Sequence, residues 1–549
     1  MMVNSERLIE RGRMDHPPHA PIRNLPKPNW RECYVQALNG RADALYMIGS
    51  FKKATVDYER VLKESNVFRV HITALSGLVK ICNQSGAYDQ ALRQADKMMH
   101  IASTSKDRLL RGRALMCKAS ALQSKGAYRQ SLAVTDQALR CLHSIRKHAA
   151  RRRDRAENIR TDIANCFNIK GMVYNEMGQY SQAVDHFRKC LRIVEKMENQ
   201  VGTINAPNNI ALVHWREQKF EASKELFAQA LSIANTIGYK YGLSVILGNI
   251  ALVSNELGKV KESIKCSTQA KQLAEEIGDI ASTGIHSNNI GIAYERSGDL
   301  ELALQYYKYS ISVFEKVGYI FGTAMVANNI AVIHCDQGDH DKAFVWMERA
   351  ERIAIDADLA EILIRCTTVK GRIYKGWHKW SRSLAAFRKA LELSRKYRMD
   401  DLMLDATVEY LNAALLRAEC TGVPLEQEAT RCLSKMLRVS QNKAMDNGIR
   451  IQVVLVLMRA DLHTKDYRKA EEKFLLLRKL LRKNHNKMVI AETLYIKARL
   501  ASAMGKKDYK RHLAESIKYS QGIGYGALLK EIRLLESLAA KVDNPVKSE

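Results

Sequence analysis

The sequence predicts an all-α solenoid of stacked helix-turn-helix units. A repeat, a helical periodicity and a scarcity of helix breakers lead to that expectation. Four segments align without gaps, NNIALVHWREQKFEASKELFAQAL from Asn208, GNIALVSNELGKVKESIKCSTQAK from Gly248, NNIGIAYERSGDLELALQYYKYSI from Asn288 and NNIAVIHCDQGDHDKAFVWMERAE from Asn328, each beginning 40 residues after the one before. Inside each unit apolar residues recur at spacings of three and four, as on the buried face of an amphipathic helix. Only 8 prolines occur among 549 residues, so few helices are interrupted.

The unit at 285–320 displays the logic of one hairpin. Ile290 and Tyr294 share a face of a first helix, and Gly298-Asp299 breaks the pattern with a residue free to take positive φ. Leu300, Ala303, Leu304, Tyr307, Ile311 and Phe314 then define a second helix, which ends at Gly318, with Gly238 and Gly278 at the same place in the preceding copies. Small residues at Gly291 and Ala303 let the two backbones approach, and Tyr294 and Tyr307 fill the space beside them. One such hairpin cannot bury its own apolar face; stacked copies can. Gly49, Gly86, Gly126 and Gly178 mark earlier turns at steps of 37, 40 and 52, and His378, Lys465 and Gly505 occupy the corresponding place later. Lys219 reads as the replacement of a turn glycine.

The order Ile290-Gly291, Tyr294, Gly298, Ala303, Tyr307 resembles the tetratricopeptide repeat in its longer version of about 40 residues, as found in kinesin light chains, Pins/LGN spindle adaptors, rapsyn and Rap-type peptide-sensing regulators. The resemblance spans residues 35–525 and is strongest over 162–400. It implies a right-handed superhelix of about 11 or 12 hairpins whose first helices line a concave groove. The expected organisation is a flexible tail over 1–30, N-terminal repeats over 31–144, a basic insertion over 145–161, the regular array over 162–400, a degenerate repeat over 401–446, C-terminal repeats over 447–523, a capping helix over 524–541 and a short tail over 542–549.

Composition narrows the function. The net charge of +28 divides into +16 over residues 1–160, −5 over 161–360 and +17 over 361–549. Two basic flanks around an acidic centre argue against a uniform nucleic-acid surface and leave only the flanks to support an RNA-binding array. Eleven cysteines are scattered without a C-x-x-C pair, which fits a reducing compartment and predicts neither a disulfide framework nor a zinc module. No signal-like or membrane-spanning apolar run occurs, and a cytoplasmic location is expected. Phosphate-binding loops, zinc-protease and nucleophile-elbow motifs are missing, so no catalytic residue, cofactor or metal is assigned and the chain reads as a non-enzyme. The string Asp336-Gln337-Gly338-Asp339-His340-Asp341 is read as a polar turn with an acidic helix start rather than as a metal loop.

Asparagines are the stronger lead. Asn209, Asn249, Asn289 and Asn329 recur in register on the first helices, joined by Asn208, Asn288 and Asn328 one residue earlier and by Asn168 in the preceding copy. The resemblance implies that this face lines the groove. A side-chain amide offers both donor and acceptor, so a row of them suits the backbone of a bound protein segment or peptide. The same amides could instead join neighbouring helices. Arg216 and Arg296 lie near the exposed lip as specificity residues. Lys118, Lys170 and Lys370 recur beside small residues, and Arg151, Arg152, Arg153 and Arg155 form a basic patch for an acidic partner or a solvated face. The expected role is a protein-interaction scaffold, with a peptide sensor that changes superhelical pitch as the alternative.

Overall fold

In the computed structural model the described residues are 30–85, 87–149, 153–397, 399–441, 447–481 and 486–543. They form 25 helices and no strand. The first six pairs are α1 (Trp30–Met47) with α2 (Phe51–Glu64), α3 (Phe68–Ser85) with α4 (Tyr88–Ser105), α5 (Arg108–Ser124) with α6 (Tyr128–Ala149), α7 (Arg153–Glu176) with α8 (Tyr180–Glu195), α9 (Gln200–Arg216) with α10 (Phe220–Thr236) and α11 (Lys240–Glu256) with α12 (Val260–Glu276). The next six are α13 (Ile280–Ser297) with α14 (Leu300–Val317), α15 (Ile320–Asp336) with α16 (His340–Asp356), α17 (Ala360–Gly376) with α18 (Trp380–Tyr397), α19 (Asp400–Thr421) with α20 (Gln427–Gln441), α21 (Asn447–His463) with α22 (Tyr467–Leu481) and α23 (Lys487–Ala503) with α24 (Tyr509–Gly522). A last helix, α25 (Gly526–Asp543), follows the twelfth hairpin. This is the all-helical, right-handed solenoid that the repeat predicts.

Several hairpins are built around one close approach. A Cβ on Gly291 would meet the Tyr307 ring at 2.6 Å, and one on Gly371 would meet the Phe387 ring at 2.5 Å. Glycine in the first helix is therefore the space into which the second helix sets its aromatic ring. The small residue opposite has a second use. Where it is serine, Ser131, Ser223 and Ser383 donate to the carbonyls of Ala119, Ala211 and Gly371 at 2.7, 2.7 and 2.8 Å, satisfying a buried hydroxyl in the seam.

The turns follow the same economy. Gly298 takes φ of 77°, and Asp299 then caps α14 by accepting from the Leu302 N–H. In the copy at 208–231 the left-handed residue is Gln218, at φ 61°, and not Lys219, which is the residue just before α10. The register places Gln218 opposite Gly258, Gly298 and Gly338, one residue earlier than the sequence reading. His378 and Lys465 are also left-handed, at 57° and 59°. Gly86, residues 1–29 of the tail expected over 1–30 and residues 544–549 of the tail expected over 542–549 lie outside the described residues.

Stacked hairpins coil until turns meet. Ile280 N–H donates to the Ile48 carbonyl at 3.1 Å, and Gly49 abuts Ala281, so the first hairpin touches the seventh. The turn of the seventh hairpin, at Gly298, abuts Ile523 just before α25. Contacts thus recur after five or six hairpins, giving two superhelical turns that rest on one another. Lys530 of α25 reaches the Gly338 carbonyl at 2.6 Å and secures the C-terminal end against the eighth hairpin.

Candidate partner-binding surface

The first helices place the asparagines in adjoining positions, and the amides join across the repeats. Asn209 donates to Asn168 at 2.8 Å, Asn249 to Asn208 at 2.9 Å and Asn329 to Asn288 at 3.1 Å. Each rung links residues 41 apart, because the donor of one helix meets the residue one position earlier in the helix before. The rule explains the missing rung. The acceptor for Asn289 would be residue 248, which is Gly248, and the imidazole of His286 occupies the space where its side chain would stand. His286 also meets Ser244 Oγ at 2.9 Å, and burial pushes its pKa down to about 4, so the ring is neutral at pH 7.

Asn208, Asn288, Asn289 and Asn328 are buried, whereas Asn168, Asn209, Asn249 and Asn329 keep partial exposure. The Oδ1 of Asn328 is buried without a hydrogen-bond partner among the described residues. Charged neighbours also bridge repeats. Arg216 pairs with Glu176 at 3.0 Å; Arg296 donates to the Asn255 carbonyl at 2.7 Å and pairs with Glu256 at 3.1 Å. The recurring lysines pair with the hairpin before: Lys118 with Asp96, Lys170 with Asp136 and Lys370 with Glu351, at 2.8, 2.9 and 2.8 Å. Arg151 and Arg152 lie outside the described residues, and Arg153 and Arg155 stand in the first turn of α7.

A second feature was not singled out from sequence. In the second superhelical turn, first helices from α13 to α23, together with α25, enclose a cavity of about 320 Å³. Arg372 pairs with Asp336 and lies 3.6 Å from Glu409, and Lys375 meets Glu409 at 3.2 Å. Burial alone would raise the Glu409 carboxyl, but these two cations hold it below its ordinary value. Arg459 pairs with Glu531 at 2.7 Å. Tyr307 and Tyr525 donate their hydroxyls to Glu295 and Glu492 at 2.7 and 2.6 Å. Burial pushes the Glu295 carboxyl up to about 7. A signal existed: Arg459 ends the run VVLVLMR, and a lone arginine after six apolar residues is a charge that needs an interior partner. Asp336, read from sequence as part of a polar turn, is buried with Arg372, while Asp339 of the same string caps α16 by accepting from the Lys342 N–H.

Twelve hairpins with first helices along one inner face define a helical-repeat solenoid. Residues 161–236, 242–316 and 322–396 match the tetratricopeptide repeat family. Among solved structures, aspartyl phosphate phosphatase F from Bacillus subtilis is similar at 15% identity, with 68% of this chain and 94% of that one covered and a TM-score of 0.45. A Rap protein complexed with competence and sporulation factor is similar at 13% identity, over 62% of this chain and 97% of that one, with a TM-score of 0.40. No curated protein matches the chain. Among the described residues no helix is long and apolar enough to cross a membrane.

Proposed function

We propose that the chain is a non-enzymatic cytoplasmic scaffold that holds an extended or helical segment of a partner protein along its inner face. The half-used amide row is the observation that carries this reading. Each rung consumes one N–H of one asparagine and one lone pair of the next, while a side-chain amide has two of each. The partly exposed Asn168, Asn209, Asn249 and Asn329 therefore retain hydrogen-bonding capacity on the face where a partner backbone would lie. The rungs hold the amides in fixed orientation, which lowers the entropy lost on binding. A static scaffold is favoured over a pitch-changing sensor because a change of pitch would have to part Ile280 from Ile48 and Lys530 from Gly338.

The test is a titration of a partner segment, first located by cross-linking, against the wild-type protein and the triple variant Asn209→Ala, Asn249→Ala, Asn329→Ala. At about 1 kcal/mol for each of three neutral hydrogen bonds, affinity should fall by roughly a hundredfold. Unchanged affinity in a variant with the wild-type circular dichroism spectrum would remove the amide row from the mechanism.

A further inference from the structure

The cavity in the second superhelical turn takes no part in the amide row, and its polar groups are unequally satisfied. Its cations are engaged: Arg372 and Lys375 with Asp336 and Glu409, Arg459 with Glu531, and Lys530 with the Gly338 carbonyl. Its acceptors are in surplus. Asp405 lines the cavity from a solvent-exposed position and has no ion-pair partner among the described residues. Asn412, two helical turns further along α19 on the same face, lines it too, and its Oδ1 is buried without a hydrogen-bond partner among the described residues. His340 is only 9% exposed, lines the same cavity, and its Nδ1 has no partner there either. Burial pushes the pKa of His340 down to about 4, so at neutral pH the ring carries a lone pair rather than a second proton.

What would satisfy this inventory is a ligand that brings N–H donors and positive charge and no acceptor. An ammonium or guanidinium group has that character. A bare metal ion fits less well, because among the described residues no three His, Cys, Asp or Glu side chains converge closely enough to hold one. Val332, Val408, Met488 and Val489 add apolar wall, suited to the methylene stem that such a group carries. Asp405 is solvent-exposed, whereas the acceptors of Asn412 and His340 are buried without a protein donor, a deficit that a bound N–H group offsets.

We infer that this chamber binds an alkylammonium or guanidinium group, with Asp405 as the ion-pair partner and Asn412 and His340 accepting its remaining N–H bonds. The group would come from a free polyamine or from a lysine or arginine side chain of a bound segment. The inference does not depend on the amide row, since a free polyamine needs no partner protein.

Isothermal titration of the full chain, at about 0.15 M salt so that surface attraction is screened beyond roughly 8 Å, tests it with two probes: spermidine and a short lysine-rich peptide. Saturable binding of either probe by the wild type is expected, weakened about tenfold or more in Asp405→Asn and in Asn412→Leu. Glu301→Gln, which alters an exposed carboxylate elsewhere, should bind as the wild type does. Spermidine binding identifies a free cation as sufficient; binding of the peptide alone assigns the site to a partner's side chain. Absence of saturable binding by both probes, or equal affinity in Asp405→Asn and Asn412→Leu variants that melt like the wild type, overturns the inference.

Discussion

Replacing Gly291 by alanine should destabilise the seventh hairpin, although the same change stabilises an ordinary helix. In a helix interior Gly→Ala is favourable by about 1 kcal/mol. At Gly40 of α1 nothing lies within 4 Å of an added Cβ, so Gly40→Ala should realise most of that gain. At Gly291 the added carbon would meet the Tyr307 ring at 2.6 Å, about 1 Å inside a normal carbon–carbon contact. Tyr307 is fully buried and its hydroxyl is tied to Glu295, so the ring has little freedom to withdraw. Overpacking of this kind costs about 1–3 kcal/mol, which cancels or exceeds the propensity gain. The two substitutions should therefore differ by about 2 kcal/mol. Long repeat arrays do not unfold in a single step, so the readout is amide hydrogen exchange in α13 and α14 against α1. Exchange from subglobal opening should be slower in α1 of Gly40→Ala and as fast as wild type or faster in α13 and α14 of Gly291→Ala. Equal protection gains at both sites would refute the account of how the hairpin seam is packed.

Three more predictions follow from other positions. Gln218 sits at φ 61°, where a side chain costs about 1–2 kcal/mol, so Gln218→Gly should raise local protection around α9 and α10 by up to about 1 kcal/mol after glycine's own entropy loss. The raised pKa of Glu295 means that the folded chain keeps a proton which the unfolded chain loses above its ordinary value of 4.5, so stability falls as pH rises from there to about 7. Because the side chain is partly solvent-accessible, the loss should stay below about 3 kcal/mol, and Glu295→Gln, whose carbonyl can still accept from Tyr307, should flatten a melting-temperature profile between pH 5 and 8. Finally, a Cβ on Gly526 would collide with the Gln337 carbonyl, so Gly526→Val should part α25 from the eighth hairpin and speed exchange in α25 while leaving α1 to α12 unchanged.

The hairpin was legible residue by residue because its determinants are local. The 40-residue step, the glycines at turn positions, and the Gly291–Tyr307 complementarity all involve residues within one unit, and helical geometry fixes which of them meet. The shift from Lys219 to Gln218 shows the limit of composition as a guide: the backbone of a repeated turn keeps its register even when glycine is absent, so alignment to Gly258 and Gly298 outranks residue type. The recurrence of asparagine was also legible, but not its bonding, because Asn249 and Asn208 lie 41 residues apart and meet only when successive helices are set side by side.

By itself the sequence determined the repeat unit, the helix faces and the inner row of amides. Tertiary structure decided the rest: five or six hairpins per turn, the break in the row at Gly248, and the placing of Asp405 on a cavity lined by paired charges drawn from several hairpins. The physical reason is additive geometry. A small rotation at each interface, set by many side-chain contacts at once, accumulates along the solenoid, and only the sum decides which distant residues share a space.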